Sequence, residues 1–282
     1  GLYKHEKILF HSFLENFIDI FRYKYPTKDK KYTWWNTITK SRSQNKGWRI
    51  DFFLVSKSCK YYNKVFQVPR AGSQEYINRV NEIITKENID IVIPNPDFEV
   101  GYISKIREQI KSPLFLPSHE TVEILLSKSL TAQKIGDLAP KTFEVSNEAD
   151  LRLAISSEKV VWLRPKTGAG GKGSLIVSDS KFGWMWIEYW KKRGFSSSWI
   201  AQEYLDGGNY NVTLIYDRNS NLCGMGMLER LGYIHEAISP TGVTGDVRMA
   251  KTIKLDNVMN IAKNAVNMSD KKPVGIFSVD LM

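Results

Sequence analysis

The segment Leu163-Arg-Pro-Lys-Thr-Gly-Ala-Gly-Gly-Lys-Gly-Ser174 constrains this chain more than any other stretch of it. Glycines at 168, 170, 171 and 173 permit positive φ angles and let backbone N–H groups approach an anion, and Arg164, Lys166 and Lys172 surround them with positive charge. Such a loop suits polyphosphate. A Walker A loop needs GxxxxGK followed by Ser or Thr, whereas Gly171-Lys172 is followed by Gly173, so that reading fails. Gly168, Gly170 and Gly173 satisfy GxGxxG, yet a dinucleotide-binding loop opens a helix and residues 175–177 read as a strand. Residues 160–163 before the loop also read as a strand. The pattern left is a glycine flap between two strands, as over ATP in protein kinases, although no kinase catalytic loop or Asp-Phe-Gly follows. A plain glycine-rich hairpin is the bland alternative.

The elements on either side fit a two-part layout. Residues 74–88 carry apolar positions at helical spacing, residues 89–93 read as a buried strand, and a helix over 99–110 and a strand over 114–116 follow. That alternation marks a parallel αβ layer. Ser118 reads as the N-cap of a helix to Leu126, and a second helix covers 130–135. From there the pattern turns antiparallel: strands over 160–163, 175–177 and 199–204, then 211–216 paired with 222–227 through the turn Asp217-Arg-Asn-Ser-Asn221. A late amphipathic helix carries Val258, Ile261, Ala262, Ala265 and Val266, and residues 274–281 form a final strand.

Charge divides the chain in the same way. The whole carries a formal net charge of +10. Residues 1–64 hold 14 basic and 5 acidic side chains, a net of +9, and the rest is nearly neutral at +1. A 42% hydrophobic content with 25% charged residues excludes disorder, collagen and coiled coil. Cys59 and Cys223 form neither a disulfide framework nor a zinc motif, and no apolar run is long enough to span a membrane, which makes a reducing, cytoplasmic setting the expectation.

Residues 61–282 resemble the ATP-grasp superfamily, in particular the branch similar to the carbamoyl phosphate synthetase large subunit and to carboxylate-amine ligases. Phe66-Gln-Val-Pro-Arg70 and Ile89-Asp-Ile-Val-Ile-Pro94 look like the preceding parallel αβ domain, Ser127-Lys128 like the lysine that opens the ATP-binding domain, and residues 162–173 like the flap. Ile200-Ala-Gln-Glu-Tyr-Leu205 resembles the adenine hinge, and Gly275-Ile-Phe-Ser-Val-Asp280 the strand bearing a metal ligand. The resemblance implies an α/β chain in which an α+β ATP-grasp domain (118–282) follows a truncated parallel αβ domain (61–117). Its implied cofactors are ATP and Mg2+, and its implied substrates are a small-molecule carboxylate and an amine. The carboxylate takes the γ-phosphate to form an acyl phosphate, and the amine displaces phosphate. On this resemblance Lys128 and Arg164 grip phosphates, Gly168, Gly170, Gly171, Lys172 and Gly173 close over them, and Gln202, Glu203, Tyr204 and Leu205 hold adenine. Arg230 would face the transferring phosphate as the catalytic cation, with Arg248 a weaker candidate better read as a solvated arginine, and Asp280 would hold magnesium. Asn209 and Thr213 stand where the family often has acids, and the chain stops before the Glu-x-Asn that completes the family's metal site. The expectation is a fragment that does not turn over alone; a non-catalytic nucleotide-binding module is a further reading.

Residues 1–58 resemble the C-terminal part of exonuclease III type apurinic/apyrimidinic endonucleases, through Phe17-Ile-Asp-Ile-Phe-Arg-Tyr-Lys-Tyr-Pro26, Tyr32-Thr-Trp-Trp35 and Gly47-Trp-Arg-Ile-Asp-Phe-Phe-Leu-Val-Ser56. The resemblance makes residues 1–60 a β-rich endonuclease-like segment, with Trp34 and Trp48 at an abasic-sugar pocket and Asp51 orienting a histidine. Trp35 and Phe52 read instead as core. Aromatic faces among cations also suit DNA, confined here to residues 1–58. The remaining catalytic residues of that family are not in this sequence, so the alternative function is an incomplete Mg-dependent DNA-repair nuclease. Two partial families meeting near Cys59 suggest an artificial junction.

Overall fold

The computed structural model describes residues 66–282 together with the backbone of two short strands, β1 (Phe17–Asp19) and β2 (Leu54–Ser56), which pair antiparallel. The chain divides into two units, residues 1–67 and 68–282. Trp34, Trp35, Trp48, Asp51, Phe52 and Cys59 lie outside the described residues.

In the second unit, α1 (Gln74–Glu87) starts where the Ser73 hydroxyl accepts from the Tyr76 amide, and stops at Asn88, whose φ of 51° is left-handed. The helix expected over 99–110 is shorter: α2 spans Asp97–Lys105 and gives way to a 3-10 turn, Arg107–Gln109. The buried strand expected over 89–93 and the strand expected over 114–116 both reduce to one parallel bridge, Val92 with Leu114. Ile89, Ile91 and Ile93 are exposed, Ile93 by 54%. A strand exists by pairing, and among the described residues this one is met at a single position. Tyr76, Ile77, Ile84 and Ile103 are buried between the two helices and this layer.

Two capped helices lead to the sheets. The Ser118 hydroxyl accepts from Thr121 N and starts α3 (His119–Leu126); the Ser127 hydroxyl accepts from Leu130 N and starts α4 (Lys128–Ile135). The second begins two residues earlier than its apolar spacing predicts, which makes Lys128 its first residue.

One antiparallel sheet has the order β3 (Thr142–Val145), β6 (Trp199–Glu203), β4 (Val161–Pro165), β5 (Leu175–Val177). Helices α5 (Glu148–Glu158) and α6 (Ser180–Lys192) cover one of its faces. Val161, Leu163, Leu175, Val177 and Ala201 point into that core, and each fully buried aliphatic side chain contributes roughly 1.5–3 kcal/mol. Strand alternation then puts Trp162 and Arg164 of β4 on the opposite face, with Gln202 of β6, whose backbone partner is Trp162. A second antiparallel sheet runs β10 (Gly275–Leu281), β7 (Asn209–Tyr216), β8 (Leu222–Tyr233), β9 (Val247–Thr252), with α7 (Asp256–Ser269) packed on Val212, Leu214 and Phe277. The expected α/β organisation is thus present: antiparallel sheets following a reduced parallel layer.

Candidate functional site

Burial explains why the glycine loop starts where it does. Leu163 faces the apolar core and Pro165 is buried, so Arg164 between them is turned to the open face at the root of the loop. Its Nε donates to Gln202 Oε1 at 2.7 Å, and its Nη2 donates to the same oxygen. Lys128 approaches the loop from α4. Its Nζ donates to the Gly168 carbonyl at 2.6 Å, and its backbone N–H donates to the Lys166 carbonyl at 3.0 Å.

The other two loop cations are engaged elsewhere. Lys166 Nζ sits 2.8 Å from Glu144 Oε1, an oxygen that also accepts from the Ser129 hydroxyl. Lys172 Nζ lies 5.1 Å from the ring centroid of Phe195, just beyond α6, and 5.9 Å from that of Trp190 on α6, held there by cation–π attraction.

Glycine is required where the loop meets a second one. Gly171 has a φ of +67°, and a Cβ there would lie 2.9 Å from the Val243 carbonyl oxygen; a Cβ on Gly245 would lie 2.6 Å from Gly170 Cα. Residues 239–246, which no sequence motif marked, therefore interlock with the flap backbone to backbone.

The far side of the site is built on the second sheet. Arg230 of β8 donates from Nη2 to Asp280 Oδ1 at 2.6 Å, and from Nη1 to Asn209 Oδ1 at 3.2 Å. Asn211 Nδ2 donates to the same Asp280 oxygen at 2.9 Å and to Ser278 Oγ at 2.7 Å. Asn209 and Thr213, the two departures from the family pattern, join this network; the Thr213 hydroxyl donates to Asn211 Oδ1 at 3.4 Å. Arg248 pairs with Glu236 at 2.9 Å on the surface, in keeping with its solvated reading. A cavity of ≈ 470 Å³ borders Asp280 and Ser278 and is walled by Leu125, Ile276, Asn95 and Asp97.

At the hinge, Glu203 Oε2 accepts from the Lys141 amide at 3.3 Å, and Tyr204 stacks on Trp162 with centroids 6.2 Å apart at 22°. Leu205 follows at the end of β6.

Burial and mutual repulsion set the electrostatics. Burial lowers Lys128 to about 8, with Arg164 adding repulsion and Asp97 opposing it. Burial likewise lowers Arg164 to about 10, offset in part by Asp280. For Glu144, burial pushes the carboxyl up, but the Lys166 and Ser129 hydrogen bonds with the Lys166 charge hold it below its usual range. Lys128 also occupies the first position of a helix, where the dipole favours anions over cations. Lys128 and Arg164 are thus two desolvated cations close to each other, with Asp97 and Asp280 as their nearby counter-charges.

For magnesium, Asp280 offers a hard carboxylate oxygen facing this cluster. Among the described residues no three His, Cys, Asp or Glu side chains form a cage. Sequence reasoning singled out Lys128, Arg164, Arg230 and Asp280, and the structure brings all four into one cluster. It missed Glu144, Thr142, Asn211 and the 239–246 loop. Only the glycines of that loop, Gly242 and Gly245, could have signalled it.

No protein-family model matches the sequence. An exodeoxyribonuclease of Bacillus subtilis (strain 168) is 44% identical over 61 residues, 21% of this chain and 24% of that protein. A DNA-(apurinic or apyrimidinic site) endonuclease of Dictyostelium discoideum is 43% identical over 53 residues, 18% of this chain and 15% of that protein. Among solved structures, the VanG D-Ala:D-Ser ligase of Enterococcus faecalis matches 68% of this chain and 59% of its own, with a TM-score of 0.50 at 14% identity. N5-carboxyaminoimidazole synthetase of Staphylococcus aureus, complexed with ADP, matches 72% of this chain and 51% of its own, with a TM-score of 0.51 at 14% identity. The chain thus spans about a quarter or less of the nucleases' length and under two thirds of these ligases'. No helix among the described residues is long and apolar enough to cross a membrane. The chain carries the ATP-grasp ligase fold together with a short stretch similar in sequence to exonuclease III type endonucleases.

Proposed function

We propose that residues 68–282 bind ATP and use it to activate a carboxylate for attack by an amine. The observation that carries this reading is the meeting of Lys128 and Arg164 at the root of a four-glycine loop, each hydrogen-bonded to a neutral acceptor rather than to a carboxylate. Loop N–H groups and the two cations would take the phosphates. Trp162, Tyr204, Glu203 and the Leu205 backbone would take adenine. Lys172 would pin the flap to α6 through its aromatic contacts.

The acceptor carboxylate would enter the ≈ 470 Å³ cavity, bringing an oxygen to the γ-phosphorus while the bond to the β-phosphate oxygen breaks and ADP leaves. An amine nitrogen then forms the C–N bond as inorganic phosphate departs. Arg230 would meet the transferring phosphate once it exchanges Asp280 for it. Asp280 and the nucleotide phosphates would hold Mg2+, which supplies charge neutralisation when bound. Two cysteines without a framework favour a reducing, cytoplasmic setting for this chemistry.

Limited proteolysis tests the reading. A non-hydrolysable ATP analogue should slow cleavage around 168–173; unchanged cleavage counts against nucleotide binding there.

A second reading applies to residues 1–58. Their net basicity and the identity to two nucleases support contact with DNA by that segment alone. Incision of abasic-site DNA by this polypeptide would contradict the further claim that its nuclease part is incomplete.

A further inference from the structure

The five cations around the glycine loop differ in what holds them, and Lys128 is bonded to the Gly168 carbonyl. Lys166 is paired with Glu144, Arg230 with Asp280, and Lys172 rests on aromatic rings. Arg164 is held by an amide. Gln202 is 3% exposed, so its three bonded contacts dictate its orientation. The Thr142 hydroxyl donates its one proton to the Pro140 carbonyl at 2.8 Å. It can therefore only accept from Gln202 Nε2, which lies 2.7 Å away. That turns Gln202 Oε1 toward Arg164, where it accepts from Nε and Nη2; the reversed amide would set donor against donor. The chain of bonds runs through β3, β6 and β4 and ends on the guanidinium.

We propose that Gln202 is a positioning residue that aims Arg164 at the phosphates without cancelling its charge, and that it does not itself touch the nucleotide. This rests on the ATP reading above, and it replaces the adenine contact that sequence resemblance implies for this position. A glutamate here would bind the fork at least as well, through charge-assisted bonds. It would also neutralise the cation in a half-buried site, where a charge is worth most to an anion. The remaining N–H groups of the guanidinium, aimed away from Gln202, are the ones left for phosphate.

The test is calorimetric titration of the 282-residue chain with a non-hydrolysable ATP analogue, in wild type, Q202E, R164A and the double variant, with thermal midpoints measured alongside. The expected result is binding by wild type, about tenfold or weaker binding by folded Q202E, and a loss in the double variant smaller than the sum of the two single losses. Additive losses would mean that Gln202 meets the nucleotide directly and would overturn the proposal, as would wild-type affinity in Q202E. If Q202E does not fold, Q202M carries the same comparison with R164A, since its thioether cannot replace the amide oxygen. Absence of binding in folded wild type would instead remove the ATP reading, and this inference with it.

Discussion

Lys128 Nζ donates to the carbonyl of Gly168 at 2.6 Å, tying the first residue of α4 to the flap while burial holds the amine near 8. Its folded value lies below the ordinary 10.5, so its contribution to stability is fully present above about 10.5 and is lost as the pH falls through about 8. A bound phosphate acts in the opposite sense, because it favours the protonated amine. Affinity for the ATP analogue should therefore decline as the pH rises from 7 to 9, with proton uptake visible in buffers of different ionisation enthalpy. Lys128→Arg, charged throughout, should flatten the profile. A flat wild-type profile would contradict the assignment.

Asp280 is the carboxylate facing the cationic cluster, and it is 67% exposed while its partner Arg230 is 20% exposed. With Asp280 this open to solvent the pair contributes only about 1 kcal/mol to stability, so Asp280→Asn should shift the urea midpoint little. The ratio of analogue affinity with and without magnesium should fall toward one. Retention of the wild-type ratio would show that the ion is held elsewhere.

The flap and the 239–246 loop approach too closely for any side chain at the contact. Gly171→Ala meets the Val243 carbonyl at 2.9 Å from a positive φ, so it should push the loops apart, speed protease cleavage of the flap and weaken nucleotide binding. Gly207→Ala, with nothing within 4 Å and no positive φ, is the matched control and should change neither. Equal behaviour of the two variants would mean that the loops do not depend on each other.

Leu163 is fully buried beneath the sheet, next to Arg164 in sequence and opposite to it in direction. Leu163→Ala should cost about 2–5 kcal/mol in urea denaturation. Leu153→Ala on α5, 68% exposed, should cost about 0.5 kcal/mol or less. Comparable losses would refute the assignment of faces.

The glycine loop between two strands, both hairpin strands and α7 were legible in the sequence; the alternation in β4 that separates Leu163 from Arg164 was not, because residues 160–163 are all apolar and the strand reads as ending at Leu163. What escaped has identifiable causes. Helix α6 carries Phe182, Trp184, Met185, Trp186, Ile187, Tyr189 and Trp190 around its circumference, which hides its apolar stripe, and Gly183 interrupts it. A Cβ at that glycine would lie 2.6 Å from Leu151, so helix packing rather than propensity put it there. Strand β3 has four residues, and β9 is exposed at every position, so neither has a burial pattern to read. Residues 89–93 misled in the opposite sense, since β-branched composition signals a strand but cannot supply its partner. The ties among Glu144, Lys166, Gln202 and Arg164 arise from β3, β6 and β4 pairing across up to 60 residues, and no local spacing encodes them.

The central claim is that Lys128 and Arg164 at the glycine loop bind the phosphates of ATP. Its most direct measurement is calorimetric titration of the intact chain and of Lys128→Ala and Arg164→Ala with the ATP analogue at pH 7. The account predicts saturable binding by wild type and a loss of about tenfold or more in each variant; equal affinity in all three would contradict it.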